Sequence, residues 1–348
     1  MPDYYVSSIR QTDARSMKQV EDLLLAEGIR RDAHLDYTCG IFDNYRKLIA
    51  TGSCFDNTMR CFAVSSNHRG EGLLNQIVTH LIEFQFGRGH SHLFVYTKYA
   101  SADFFRDLGF YEIVRTDDDL VFMENTKTGF SSYLASLDKT RKDGTKIAAI
   151  VMNANPFSLG HQYLVSRASS ENDVVHLFMV SDDCSLIPYA VRKKLILEGT
   201  SQFSNLIYHD TGSYLISNAT FPSYFQKDDV SVICGHAHLD LFIFCKIAEK
   251  LGITARYVGE EPNSLVTGIY NQIMKEELPA HGISCVELPR LMAHEKAISA
   301  SDVRLAIKTG DYALLKTLVP ESTYRYFISE EASDVVNKIK NSEDVIHY

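Results

Sequence analysis

No run of apolar residues in this chain approaches the about 20 needed to cross a bilayer as a helix. A membrane partner is therefore not expected. Nor is there a dense block of lysine or arginine. With 348 residues and a net charge of -9, nonspecific binding to nucleic acid is disfavoured. The opening residues, Met1-Pro2-Asp3-Tyr4-Tyr5, lack the basic and apolar regions of a signal peptide. The seven cysteines contain no Cys-x-x-Cys pair, and an odd number cannot all pair internally, so reduced thiols in the cytoplasm are expected. There is no repeat and no low-complexity tract. What remains is an ordinary globular balance, 45% apolar and 23% charged, in a length that suits two domains.

The stretch around which the chain is organised runs from Lys146 to Ala168. Ile147 to Met152 is an apolar run that reads as a buried parallel strand. Asn153, Asn155 and Pro156 stop it, and Leu164 and Ala168 restart the apolar pattern at helical spacing. Strand, polar turn and helix make a ligand-binding edge, because the unpaired amides of a helix start attract phosphate beyond the carboxyl end of the strand. Gly160 lets a ligand approach the backbone, and His161 can donate to a phosphate oxygen. Ser158-Leu159-Gly160-His161 resembles the (His/Thr)-x-Gly-His signature of the nucleotidyltransferase superfamily. Ile298-Ser299-Ala300-Ser301-Asp302-Val303-Arg304 is similar to that superfamily's triphosphate-holding motif. Two hydroxyls and a guanidinium at a helix start form a phosphate clamp.

In the first half, Tyr4 to Ile9 reads as a strand, and Thr12 to Ile29 as a helix with Met17, Val20, Leu23 and Leu24 on one face. Lys47 to Phe55 and Met59 to Ser65 read as paired strands turning at Asp56-Asn57. Asn67 to Leu74 then opens a helix with Leu73, Leu74, Ile77, Val78, Leu81 and Ile82 on its apolar face. Arg69, Gly70 and Gly72 resemble the pyrophosphate loop of the GNAT acetyltransferases, although Leu74 departs from that pattern. The loop reads either as a binding site for a CoA-like group or as a tight turn whose glycines serve packing. His92 to Thr97 reads as a strand, and Ala102 to Phe110 resembles a later segment of the same family. The polar stretch from Ser136 to Thr145 marks the boundary, giving domains 1–140 and 146–348.

In the second half, Asp173 to Val180, Val230 to Cys234, Thr254 to Val258 and Ile283 to Leu288 read as strands. Pro188 to Leu197, Asp240 to Leu251, Val266 to Met274, Leu305 to Leu318 and Tyr324 to Ile328 read as helices. Alternation of this kind argues a doubly wound parallel sheet. Gly235 would end one strand and Gly259 another. His236, His238 and Asp240 then fall at a strand end near nucleotide, a placement preferred over a protein-bound metal, for which the spacing is poor. Arg192 is a candidate contact for phosphate or acetate, with a solvated helix face as the alternative. Glu260 and Glu261 suit a ribose hydroxyl or a metal as well as they suit helix capping.

Asn153-x-Asn155-Pro156-Phe157-x-x-Gly160-His161, Gly212-Ser213-Tyr214 with Ala219 to Phe225, Gly259-Glu260-Glu261-Pro262 and the Ile298 to Arg304 clamp stand behind the GNAT-like segment. In that combination they resemble the citrate lyase ligase family over nearly the whole chain. The resemblance implies an α/β protein in which a GNAT-like mixed α/β domain precedes a Rossmann-like nucleotidyltransferase domain. It implies an enzyme that activates acetate with ATP and acetylates the thiol of the prosthetic group on the citrate lyase acyl carrier subunit, releasing AMP and pyrophosphate. The expected catalytic residues are His161, Ser299, Ser301 and Arg304. Asn153, Asn155, Ser158, Gly160, Gly235 and Gly259 are expected to bind ATP, with Mg2+ bridging phosphate oxygens. The prosthetic group is a dephospho-CoA derivative, which assigns the Arg69 to Gly72 loop to its docking. Three other readings stand beside this one: a cofactor adenylyltransferase, a GNAT protein acetyltransferase and a noncatalytic nucleotide-sensing scaffold.

Overall fold

The computed structural model describes residues 4–32, 34–116, 119–215, 229–261, 265–293, 296–343 and 345. The chain divides into two compact units, one of residues 1–132 with 222–235, the other of 133–221 with 236–348.

The first unit is a mixed α/β layer structure. Its elements are β1 (Val6–Ile9), α1 (Ala14–Ala26), β2 (Tyr37–Phe42), β3 (Leu48–Phe55), β4 (Thr58–Val64), α2 (Leu73–Gly87), β5 (Phe94–Lys98), α3 (Tyr99–Asp107), β6 (Tyr111–Arg115) and β7 (Leu120–Glu124). The strands form one seven-stranded sheet in the order β1-β2-β3-β4-β5-β7-β6. Strand period places alternate residues on opposite faces. Leu48 accordingly joins Val20 and Leu24 of α1, while Ile49 joins Ile77, Val78 and Leu81 of α2. All neighbours are antiparallel except β4 and β5, which pair in parallel only at Thr58 with Phe94 and Met59 with Val95. The loop carrying Arg69 follows β4, and Gly72, at φ 75°, is the N-cap of α2. That left-handed conformation strains any side chain with a Cβ, which is why glycine stands there.

The division between units falls inside α4 (Gly129–Asp138). The second unit continues with β8 (Ile147–Met152), α5 (Leu159–Glu171), β9 (Val174–Met179), α6 (Tyr189–Gly199), β10 (Leu206–Asp210) and α7 (Asp229–Leu251), inside which the division falls again. Then come β11 (Ala255–Gly259), α8 (Leu265–Glu277), β12 (Ser284–Leu288), α9 (Ala300–Thr309), α10 (Tyr312–Leu318), α11 (Glu321–Ile328) and α12 (Ser333–Asn341). Five parallel strands lie in the order β10-β9-β8-β11-β12, a doubly wound sheet as expected. The order reverses between β8 and β11, so the crevice where such sheets bind ligands opens at the carboxyl ends of those two strands. Ile150, Leu177, Val165, Leu195, Ile307 and Phe327 share the core beneath it.

Three expectations are corrected. Val230 to Cys234 is not a strand but the first part of α7, and the strand beside β9 is β10, which the sequence reading passed over. A five-residue run with three β-branched members is ambiguous between strand and buried helix, and here the continuing apolar pattern to Leu251 decides for helix. Gly235 therefore lies within a helix and not at a strand end. Leu305 to Leu318 is two helices, because Gly310, at φ 75°, caps α9 and the Asp311 side chain caps α10. Ala219 to Phe225 and Pro262 lie outside the described residues. Among those described, no helix is long and apolar enough to cross a membrane.

Candidate active site

The site is built from the turn between β8 and α5. Ala154 takes a φ of 48° and the Asn155–Pro156 peptide is cis. Two buried guanidiniums hold this turn, one at Asn153 and one at Asn155. Arg192 of α6, 1% exposed, donates through Nη1 to the Asn153 carbonyl at 2.9 Å and to Asn153 Oδ1 at 2.6 Å. It also donates to the carbonyls of Val180, Ile187 and Asp182. Arg304 of α9, 2% exposed, donates through Nη1 to the Asn155 carbonyl at 2.6 Å, and through Nη2 to Ser301 Oγ at 3.2 Å. Arg192 was expected as a contact for phosphate or acetate, or as a solvated face. It is neither: burial presses its pKa down, and protein oxygens occupy its fork. Its charge nonetheless lies directly beneath the turn.

Asn155 is 4% exposed; its Oδ1 accepts from the Ile187 amide at 3.2 Å, while its Nδ2 has no partner among the described residues. A buried donor left without an acceptor costs about 1–3 kcal/mol, so a group supplying one is favoured there. Asn153 Nδ2 donates to Ser185 Oγ at 3.1 Å.

At the start of α5, Ser158 and His161 form a reciprocal capping box. The Ser158 amide donates to His161 Nδ1 at 3.1 Å, and Ser158 Oγ lies 2.9 Å from the same nitrogen while accepting from the His161 amide. Nδ1 must therefore be the unprotonated nitrogen, and Nε2 carries the hydrogen. Burial pushes the imidazole pKa down to about 4, and the charge of Arg290 pushes the same way. His161 is thus a neutral imidazole with one donor, partly exposed and stacked on the buried Phe157 at 5.8 Å between centroids.

The head of α9 comes to the same place. A Cβ built on Gly160 would lie 3.5 Å from the Ile298 carbonyl. Ser299 caps α9, accepting from the Asp302 amide at 3.1 Å and donating to Asp302 Oδ2 at 2.7 Å. Asp302, an acid in the middle of the clamp, is paired with Lys296. Gly259, the last residue of β11, accepts at its carbonyl from Asn271 Nδ2 at 3.0 Å. The structure thus gathers Asn153, Asn155, Ser158, Gly160, His161, Gly259, Ser299, Ser301 and Arg304 at one sheet edge. Glu261 is taken by an ion pair with Arg290.

Gly235 belongs elsewhere, within α7. So do the polar residues once read as facing nucleotide: Asp240 pairs with the buried Arg256 at 3.1 Å, and His238 with Glu277 at 3.1 Å. Arg69 lies in the other unit, exposed and paired with Glu27 at 2.6 Å. Sequence reasoning missed Arg290, which sits two residues beyond β12. The rule that ligands gather at carboxyl ends of parallel strands was the signal that could have found it.

No three His, Cys, Asp or Glu side chains among the described residues converge as a metal cage.

Residues 147–327 match the family profile for the citrate lyase ligase C-terminal domain. The chain is 35% identical over 321 residues to the citrate (pro-3S)-lyase ligase of Haemophilus influenzae, across 90% of this chain and 96% of that one. It is 38% identical over 327 residues to the protein of the same name from Escherichia coli, across 91% and 92%. Among solved structures, the ribosomal-protein-S18-alanine N-acetyltransferase of Escherichia coli aligns over 35% of this chain and 92% of its own. At 20% identity and a TM-score of 0.28, that likeness is too slight to bear on function.

Proposed function

The chain belongs to the citrate lyase ligase family, and from that premise we propose that it activates acetate with ATP and passes the acetyl group to a thiol on the citrate lyase acyl carrier subunit. In the first step an acetate oxygen attacks the α-phosphorus of ATP. The bond from that phosphorus to the bridging oxygen breaks, and pyrophosphate leaves with the electron pair. In the second, the thiolate of the dephospho-CoA-type prosthetic group attacks the carbonyl carbon of acetyl-AMP, and AMP leaves with the oxygen it shared. Acetate alone cannot do this, since its oxygen is a poor leaving group; AMP departs readily.

The observation that carries the reading is the capping box that holds His161 neutral with Nε2–H as its donor, at the head of α5 and beside the α9 clamp. His161 donates to the α-phosphate as negative charge builds there, and a preorganised donor at such a point stabilises the transition state. The amides of Leu159 and Gly160 bind phosphate oxygens as helix starts do. Ser301 faces the departing pyrophosphate and Ser299 holds the helix that presents it, while Arg304, expected as a direct clamp on phosphate, is buried against the Val345 and Asn155 carbonyls and Ser301 Oγ and contributes shape and positive charge to the turn instead. Asn153 and Asn155 shape the turn around the nucleotide, and the buried Arg192 adds positive potential beneath it. Magnesium supplies charge neutralisation of the phosphates when bound with ATP.

In this reading segment 146–348 performs the adenylation. Segment 1–140 docks the prosthetic arm at Arg69, Gly70 and Gly72, beyond which α2 presents its own unpaired amides. No disulfide joins the cysteines among the described residues, which suits work in the cytoplasm.

The test is stoichiometric. Given labelled acetate, ATP and the thiol-bearing carrier, the protein should place label on the carrier with one AMP and one pyrophosphate per acetyl group. Formation of ADP and inorganic phosphate in their place would defeat the scheme. Incubation with nicotinamide mononucleotide or phosphopantetheine tests the cofactor adenylyltransferase reading, and labelling from acetyl-CoA without ATP tests the acetyltransferase reading.

A further inference from the structure

Arg290 is joined to three segments of the nucleotide crevice at once. Its Nε donates to the Glu260 carbonyl at 2.8 Å, just beyond β11. Its Nη1 donates to the Ile298 carbonyl at 3.2 Å, one residue before the cap of α9. Its Nη2 pairs with the Glu261 carboxylate. The same Ile298 carbonyl lies 3.5 Å from where a Gly160 Cβ would stand, which places the guanidinium beside the head of α5. A guanidinium has five N–H donors in one plane, and these tethers use three. The Arg290 side chain is 25% exposed, whereas the site's other two arginines are buried.

We propose that Arg290 is a further substrate-contacting residue of this site: the two N–H groups that its tethers to described residues leave over bind anionic oxygens of the nucleotide's phosphate chain while those tethers hold the α9 head against α5. The proposal rests on the nucleotide site described above. The division of labour follows from burial. Arg192 and Arg304 give their donors to main-chain and hydroxyl oxygens and act through the shape and potential of the turn. Arg290 keeps a fork edge available and is already oriented by its other edge, so little side-chain freedom is lost on binding. Its ion pair with Glu261 also neutralises a carboxylate that would otherwise repel phosphate in the same crevice. The position of Arg290 beside His161 is visible in the imidazole as well, whose charged form its guanidinium disfavours.

The test compares binding of adenosine, AMP and ATP, with magnesium, to the full chain and to its Arg290→Gln and Arg290→Lys variants. Removing a charge-assisted contact should cost ATP roughly 10- to 100-fold in affinity, with adenosine changed by less than about twofold. AMP should fall between them. Lysine should restore part of the loss, since it keeps the charge but not the fork. In acetate-dependent turnover the KM for ATP should rise while that for acetate holds. Equal loss for adenosine and ATP would reduce Arg290 to a structural tether and overturn the proposal, as would unchanged ATP affinity. Absence of ATP binding in the unsubstituted protein would overturn the nucleotide site itself, and it shows before any variant is compared.

Discussion

Gly160→Ala separates the needs of the fold from those of the ligand. The added methyl would meet the Ile298 carbonyl and Ser158 Oγ at 3.5 Å and Ile298 Cβ at 4.0 Å, all ordinary contacts. The φ of Gly160 lies outside the left-handed region, so no backbone strain is introduced. Gly160 is the second residue of α5, where alanine is the better helix former; in a helix interior the exchange gains about 0.8–1 kcal/mol, and less is expected in the first turn. For a unit of this size a gain of about 0.5–1 kcal/mol raises Tm by roughly 1–4 °C. The same methyl stands where a phosphate must approach the amides at the helix start. Losing one amide bond to a charged oxygen costs about 1.5–3 kcal/mol, or roughly 10- to 150-fold in ATP affinity. Thermal unfolding and the KM for ATP in acetate-dependent turnover measure the two effects on one sample. A variant as stable as its parent with a strongly raised KM is the expected result. Unchanged kinetics would refute the placement of phosphate at Gly160, and a fall in Tm would show that the glycine serves packing.

Other expectations follow from neighbouring groups. His161→Ala should cut pyrophosphate exchange by roughly 100-fold or more, the scale of a lost preorganised donor, while circular dichroism shows an intact fold. Arg69→Ala should weaken carrier acetylation but spare acetyl-AMP formation; its exposed pair with Glu27 is worth less than about 1 kcal/mol, so equal loss of both steps could not be blamed on stability. His176 and His209 are buried on adjacent strands, with Nδ1 and Nε2 2.8 Å apart. Burial pushes both pKa values down to about 4 from 6.5. Both rings are neutral when folded and take protons when unfolded, so their contribution is full above pH 6.5 and is lost as pH falls from there toward 4. At pH 5.5 each costs about 1.2 kcal/mol relative to neutral pH. Denaturant titration across that range should show the decline, and His209→Asn should remove about half of this pair's share of it.

The strand, turn and helix that form the candidate site were legible in the sequence because the polar turn, the glycine and the helix restart are local features. Ile147 to Ala168 needed no partner to be read, and Ile298 to Arg304 stood out by its resemblance to a superfamily motif, although that resemblance did not foretell that Arg304 is buried against protein oxygens. What the sequence hid were relations across the fold. Val230 to Cys234 carries the β-branched residues of a strand yet forms the start of α7. Leu206 to Asp210, with a tyrosine, a histidine and an aspartate among five residues, looks too polar for the strand it is. Arg192 stands among three consecutive basic residues, and only the folded chain shows one of them wholly buried under carbonyls and the others in surface ion pairs with Asp210 and Glu331. Arg290 has no motif around it; its partners at Glu260, Glu261 and Ile298 come from elsewhere in the unit.

The central claim is an acetyl-adenylate formed before any thiol is engaged. Its most direct test is the exchange of labelled pyrophosphate into ATP with magnesium present and no carrier protein. The account predicts exchange that depends on acetate and disappears in His161→Ala. No exchange without carrier, in a preparation that turns over once carrier is added, would contradict a separate adenylate step. Silence under both conditions would contradict the ligase chemistry altogether.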